Sequence, residues 1–377
     1  MIPFVIVPEN TTSLYESYQK VYEECLEGNK PCVLSEESTC KWLARTDWTY
    51  PDGSLKFDFL RSRFGRAGVP VVQSDEQSDY ASRLQVPVSF DDYLEHLESK
   101  RPLSGINAPH GHVWYLKDWH FQRAFPEYRA YTVPLYFSSD WLNEYCDARY
   151  PYEPDKDYRF LYLGPKGSWT PFHEDVLQSF SWSANVSGTK KWYIFPAGEE
   201  QKLIQADGQL PSDVTSVDLS GCVHFVFVQR PGEVIFIPSG WHHQVHNLDT
   251  TLSVNHNWIN AATVGNLWNL LRDSLNKVKQ EIEDCAADFV DAHEWNRQCQ
   301  MILKADLGMN YPEFFDLLLF IGTRRIQCDN EHEQYEFVRM KDIESIRGTF
   351  KQVEFSLDEL PREDGAPDAI RKFLEVL

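Results

Sequence analysis

The chain reads as a mixed α+β protein with a mainly β core. Residues 131–258 are filled by short runs of Val, Ile, Phe, Tyr and Trp punctuated by Gly and Pro, and helical periodicity precedes that stretch and returns after Asn260. Several short strands at such spacing argue for a sandwich or barrel. A length of 377 residues suits one large domain with an appendage, or two modest ones, with ample apolar surface for a core.

At the N-terminal end, Leu14, Tyr18, Val21, Tyr22 and Cys25 in TSLYESYQKVYEECLE recur at helical spacing behind a Thr/Ser cap, and Gly28 ends the run. The strand PCVLS follows, then a helix around Lys56–Arg63, a strand GVPVV, and a helix opened by SFDDYLEHLE. In that helix Ser89 is followed by acids in the first turn. The β-rich middle contains YRFLYLG, SFSWSANVSG, KKWYIFPAG, VHFVFVQRPG, EVIFIPSG, HHQVHN and TLSVNHNW. Beyond it, Val264, Leu267, Trp268, Leu271, Leu275, Val278 and Ile282 follow the steps of an amphipathic helix, and PEFFDLLLFIG predicts another, from Pro312 to Gly322. These patterns divide the chain into 1–262, a helical region over 263–355 and an acidic, proline-containing tail over 356–377, expected to be loosely held.

Composition narrows the function. The formal charge of −21 repels phosphate backbones and no basic patch offsets it, so direct nucleic-acid binding is not expected, and a basic protein or peptide partner fits better. The eight cysteines include no CxxC pair and the N-terminus lacks a signal-peptide pattern, which predicts reduced thiols in a cytoplasmic or nuclear protein. No apolar run is long enough to span a membrane.

One constellation carries chemistry. A His-x-acid pair is cheap in a chain with 12 His and 57 acids, and two occur. His96 and Glu98 lie in a helical pattern, where i and i+2 point apart, and read as a solvated face. His173 and Asp175 lie in β territory, where i and i+2 share a face, so both can address one ion while Glu174 faces away. A third ligand must come from elsewhere. PGEVIFIPSGWHHQVHN offers His242 and His246 on one strand face and His243 on the other, and parity does not choose between them. The spacing of Gly232, Pro238, Gly240, His243 and Asn247 resembles the second cupin motif, which implies His243 as the ligand and His242 and His246 as outer or rim groups. Two His and one Asp leaving open positions suit non-haem Fe(II), whereas zinc usually takes a closed tetrahedral set. Another cupin metalloenzyme and a metal-free core are the competing readings.

With TPFHED, GTKKW, PGEVIFIPSGWHHQVHN and SVNHNW in this order, the chain resembles the JmjC family of 2-oxoglutarate-dependent oxygenases, densely from about Trp114 to Asn260. The resemblance implies a double-stranded β-helix, a jelly-roll variant, with its core at about 131–262. It implies Fe(II), 2-oxoglutarate and O2 as cofactors, and His173, Asp175 and His243 as metal-binding and catalytic residues. It also implies that Lys190 and Thr170 bind the distal carboxylate of 2-oxoglutarate, with Tyr162, Asn185 and Asn255 as weaker candidates. Ser181 stands where many relatives carry an asparagine. Trp182, Trp192 and Trp241 have the plainer reading of core residues, and Asp118 and His120 that of hydrogen-bonded structural groups. WYLKDWHF, YFSSDWLNEY and SFSWSANVSGTKKW resemble the branch associated with lysyl hydroxylation of the eukaryotic translation termination (release) factor. That implies a cytoplasmic protein lysyl hydroxylase. A JmjC lysine demethylase, a non-catalytic binding module and a cupin acting on a small molecule are the alternatives. The intact triad and Lys190 speak against the binding module, and the Thr170 and Lys190 pair speaks against the small-molecule cupin.

Overall fold

The structure, a computed structural model, describes residues 5–7, 14–74, 85–103, 112–153, 156–327, 333–353 and 373. The Thr/Ser cap expected before Leu14, Cys328 and, apart from Phe373, the acidic tail lie outside the described residues. The chain forms two compact units. One comprises Met1–Ser138, Glu153–Asp175 and Phe180–Asn257, the other Ser139–Tyr152, Val176–Ser179 and Trp258–Leu377.

The first unit opens with β1 (Val5–Val7) and α1 (Leu14–Val21), which continues as π-helical turns over Tyr22–Glu27 before Gly28. β2 (Cys32–Leu34), α2 (Leu43–Thr46), α3 (Phe57–Phe64), β3 (Gly68–Gln73) and β4 (Gln85–Ser89) follow. Ser89 caps α4 (Phe90–Ser99) by accepting the Asp92 N–H at 3.0 Å, as its place before two acids predicts. β5 (Trp114–Trp119) and α5 (Phe121–Ala124) lead toward the barrel strands. The expected strand-rich stretch begins at Arg159 rather than Tyr131, because Trp141–Arg149 forms a helix, α6, capped by Asp140.

Eight strands are then shared between two sheets: β6 (Arg159–Gly164), β7 (Trp169–His173), β8 (Phe180–Ser187), β9 (Lys190–Phe195), β10 (Phe225–Gln229), β11 (Val234–Ile237), β12 (His242–Asn247) and β13 (Thr251–Trp258). The four-stranded sheet has the order β10-β9-β12-β7. Opposite it, β11-β8-β13-β6 forms the middle of a sheet extended to nine strands by β2 and β1 on one side and β5, β3 and β4 on the other. This is the jelly-roll arrangement of two facing sheets. β1 pairs parallel with β2, and the pairs β2–β11, β11–β8, β13–β6, β6–β5, β5–β3, β3–β4, β10–β9, β9–β12 and β12–β7 are antiparallel.

The period-2 pattern explains the facing. In β10 Phe225 and Phe227 pack against a core of Val33, Trp192, Ile194, Ile235, Ile237, Trp241 and Val245, while Val226 and Val228 are exposed. Tight corners use the two motif glycines: Gly232 at φ +91° between β10 and β11, and Gly240 at φ +73° just before β12. A side chain at Gly232 would press on Glu36 and Arg45.

The second unit is helical: α6, a short turn at Val176–Gln178, α7 (Val264–Glu281), α8 (Ala292–Leu307), α9 (Tyr311–Gln327) and α10 (Glu333–Val353). In α7 the predicted apolar positions Val264, Leu267, Trp268, Leu271, Leu275 and Val278 are buried, and Ile282 sits at the cap. The expected stop at Gly322 does not occur. The helix runs on to Gln327, and Gly322 leaves the room that the Phe373 ring and Ile346 fill. Arg325 ties the unit together, donating to Asp342 at 2.7 Å and to both oxygens of Glu144 at 3.0 and 2.9 Å. Among the described residues no helix is long and apolar enough to cross a membrane.

Candidate active site

The site lies in the first unit, on the inward face of β7 and β12 and the strands that face them. Pairing between β7 and β12 sets His173 opposite His243, then Val245 opposite Thr170, so three residues of β7 span what two span on β12. That is a bulge with its extra residue on β7. Pro171, which has no N–H to lose from the ladder, sits inside it, and the Phe172 N–H turns away to the Ser212 carbonyl. Simple alternation would send Thr170 and His173 to opposite faces. The bulge brings both into one pocket and explains the T-x-x-H spacing.

His173, Asp175 and His243 meet there, each offering a ligand atom, with these atoms all within 4.8 Å of one another. β7 ends at His173, so Asp175 is positioned by the turn that follows and not by the pleat. Both histidine rings are set for metal binding. The Nδ1 of His173 lies 2.8 Å from the Pro171 carbonyl and that of His243 3.2 Å from the Trp241 carbonyl, so each Nδ1–H donates to the backbone and Nε2 is left as the lone-pair donor. The Asp175 carboxylate accepts from Ser181 Oγ at 2.6 Å on one oxygen and from Asn257 Nδ2 at 2.8 Å on the other. Burial, then the charge of His243, lowers the His173 pKa to about 3, which keeps the imidazole neutral. Two imidazoles, each with Nε2 turned from the backbone, and one oriented carboxylate fit a divalent first-row metal with coordination positions to spare.

Away from the triad the pocket is cationic. Lys190, at the start of β9, is 2% exposed and donates to Ser253 Oγ at 2.6 Å. Burial, then the charge of Lys117, lowers its pKa to about 7, so the surroundings disfavour the ammonium and an anionic ligand would restore it. Thr170, Tyr162 and Asn255 line the same pocket. Tyr162 donates to Asp118 at 2.9 Å, and Asn255 donates to Ser253 Oγ at 3.1 Å.

Asn185, expected among the co-substrate contacts, is not part of the lining. It lies toward the far end of β8, where its amide donates to the Gly188 carbonyl at 2.6 Å and braces the β8–β9 turn. Ser181, a departure from the expected asparagine, orients Asp175. His242 and His246 stay off the inward face. His242 packs on Phe172 with its Nδ1 3.7 Å from Glu200, and His246 stacks on Trp169. Glu174 also stays out of the triad, half-buried, its carboxyl pKa raised by burial and by the charge of Glu200.

Sequence reasoning missed Asn257, Tyr115 and Lys117. Asn257 was within reach, because Ser253, Asn255 and Asn257 share one face of β13 by strand alternation. Tyr115 and Lys117 share a face of β5 in the same way, but nothing local says that face is the pocket. Trp182 and Trp192, read as core, are buried and also line the pocket, whereas Trp241 belongs to the core alone. Asn247, the last residue of the cupin-like motif, ties β12 to the β6–β7 turn through Ser168 Oγ at 2.8 Å.

Known proteins share this arrangement's sequence. Residues 160–258 match the JmjC family, described as "JmjC domain, hydroxylase". The chain is 43% identical to the chicken (Gallus gallus) 2-oxoglutarate and iron-dependent oxygenase JMJD4, over 82% of this chain and 73% of that one. It is 41% identical to the protein of that name from Homo sapiens, over 82% of this chain and 74% of that one. With an Arabidopsis thaliana protein named arginine-specific demethylase JMJ20 the identity is 36%, over 79% of this chain and 66% of that one.

Proposed function

This chain belongs to the JmjC family of 2-oxoglutarate- and iron-dependent oxygenases, and from that premise we propose that it hydroxylates a lysine side chain of a protein, the eukaryotic translation termination factor, in the cytoplasm. The observation that carries the oxygenase reading is the His173, Asp175 and His243 cluster facing a pocket that also holds the buried Lys190. The substrate assignment rests on the branch resemblance in the strings around Trp114–Trp192 and on the chain's acidity, which favours a basic target segment.

The residues divide the work. His173, Asp175 and His243 would hold Fe(II), and Ser181 and Asn257 keep Asp175 turned toward it. Lys190, with Thr170 beside it, would bind the distal carboxylate of 2-oxoglutarate. The bound metal supplies the redox chemistry that couples oxidation of 2-oxoglutarate to succinate and CO2 with insertion of one oxygen atom of O2 into a substrate C–H bond. Trp182, Trp192 and Val245 give the pocket an apolar wall. Demethylation is the second reading, favoured by the name of the Arabidopsis relative.

The test incubates purified protein with Fe(II), 2-oxoglutarate, O2 and either the termination factor or methylated lysine and arginine peptides, followed by mass spectrometry. The proposal expects a lysine of the termination factor to gain the mass of one oxygen, with no product from a His173→Ala variant. Loss of a methyl group from a peptide, with the termination factor unchanged, would replace hydroxylation by demethylation.

A further inference from the structure

Strand β8 carries three polar side chains at alternate positions, Ser181, Ser183 and Asn185, and the outer two are committed. Ser181 donates to the Asp175 carboxylate at 2.6 Å, and Asn185 donates to the Gly188 carbonyl at 2.6 Å. Ser183 stands between them and shares their face by strand alternation. It lines the pocket at 3% exposure, and its hydroxyl has no hydrogen-bond partner among the described residues.

A buried hydroxyl without a partner costs free energy that an alanine in its place would avoid. The main chain that presents it is fixed. The Ser183 carbonyl accepts from Gln229 Nε2 at 2.8 Å, and Gln229 Oε1 accepts from the indole N–H of Trp192, itself a pocket wall, at 2.9 Å. Ser183 is therefore held on a braced strand with its hydroxyl open to a ligand.

Depth in the pocket says what that ligand group is. Ser181 and Asn257 both bond Asp175, which puts them level with the triad. Along β13, Ser253 lies two strand steps deeper than Asn257 and accepts from the Lys190 ammonium at 2.6 Å. β8 runs the same way, from the triad toward the turn that leads to Lys190, and Ser183 stands one step, about 7 Å, beyond Ser181. It thus lies between the level of the triad and that of Lys190. A 2-oxo diacid chelating a metal through its keto and adjacent carboxylate oxygens brings its second carboxylate to that depth. Resting on the oxygenase reading above, the geometry points to Ser183 as a further co-substrate-binding residue, one whose hydroxyl donates to the distal carboxylate of 2-oxoglutarate alongside Lys190 and Thr170. It supplies from β8 the contact that Ser181, committed to Asp175, does not.

Binding and stability together separate this role from a structural one, without turnover. The full chain loaded with Mn(II) is titrated calorimetrically with 2-oxoglutarate and with 2-oxobutyrate, which lacks the distal carboxylate, for wild type, Ser183→Ala, Ser183→Cys and Lys190→Met. Each protein is also melted without either acid. Ser183→Ala is expected to weaken 2-oxoglutarate about 10- to 100-fold, the range for a hydrogen bond to a charged group, and to leave 2-oxobutyrate within about two-fold. It should melt no lower than wild type, since the hydroxyl it removes bonds nothing in the protein. Ser183→Cys, a weaker donor of similar size, should fall between the two. Mn(II) affinity, measured alone, should stay at the wild-type value in both Ser183 variants. Affinity of Ser183→Ala for 2-oxoglutarate within about two-fold of wild type would overturn the inference. An equal loss for both acids would also overturn it, as would a lower melting temperature with a matching loss of Mn(II) affinity, the mark of a structural serine. Wild-type affinity for 2-oxoglutarate in Lys190→Met would instead overturn the reading of the pocket on which the inference rests.

Discussion

Replacing Lys190 by methionine tests how the pocket is held in readiness. Methionine keeps the volume of the aliphatic stem and removes the ammonium. The Lys190 pKa falls from its ordinary 10.5 to about 7, chiefly through burial and secondarily through Lys117. That interval corresponds to an upper bound of about 5 kcal/mol of disfavoured charge. Because the folded value is depressed, the unfolded chain binds the proton more readily between pH 7 and 10.5, so this residue makes wild-type stability rise with pH across that window. The methionine variant loses that dependence. It should therefore be more stable than wild type at pH 7 without co-substrate, by about 1–4 kcal/mol, the range for exchanging a buried charge for an apolar side chain. The gap should narrow as the pH climbs. Added 2-oxoglutarate should stabilise metal-loaded wild type by mass action and the variant far less. Urea titration followed by tryptophan fluorescence, at several pH values with and without the co-substrate, reads all three effects. A variant less stable than wild type at pH 7, or one stabilised equally by 2-oxoglutarate, would refute the reasoning.

Other residues make separate predictions. Asn257→Ala or Ser181→Ala, each removing one hydrogen bond from Asp175, should weaken Mn(II) binding about 10- to 100-fold, as measured by electron paramagnetic resonance titration. Gly164→Ala should cost about 1–3 kcal/mol in denaturant titration, since the new carbon would stand 2.6 Å from the Tyr115 ring and 2.7 Å from the Asn247 amide. Arg325→Met, which leaves the buried Asp342 without its cation while Glu144 keeps Arg324 at 3.0 Å, should destabilise the helical unit by about 3–5 kcal/mol and raise hydrogen exchange in α9 and α10. His256 is buried, and burial holds its pKa well below 6.5. Its contribution is therefore present above pH 6.5 and lost as the pH falls, and His256→Gln should flatten the acid limb of the stability curve.

The fold was legible where local pattern and tertiary environment agree. β10 is a short run of aromatic and β-branched residues, and α7 keeps one apolar stripe, so each could be read from its own residues. The helix α8 went unread because charged and polar side chains dilute its buried positions Cys299, Gln300 and Leu303. Gly322, read as a stop, is instead a packing residue whose reason lies far away in sequence, at Phe373. The three triad residues were nameable because motif spacing marks them, but the pleat argument for His173 and Asp175 was incomplete. The strand ends between them, and a bulge at Pro171 that no pattern announces sets which neighbours join the pocket. Asn185 shows the reverse error, since it has the right parity but sits beside a turn that claims its amide. The place of Lys117 in the pocket and the bond from Ser181 to Asp175 were beyond reach because both depend on segments brought together only by the fold.

The central claim is that this pocket moves oxygen from O2 into a protein side chain at the expense of 2-oxoglutarate. The most direct measurement supplies isotopically heavy O2 to the iron-loaded protein with 2-oxoglutarate and the termination factor, and follows both products by mass spectrometry. One heavy oxygen atom is expected in a lysine and one in succinate for each turnover, both abolished by Asp175→Asn. Succinate without labelled protein would contradict the substrate, and absence of both products from the metal-loaded protein would contradict the oxygenase reading.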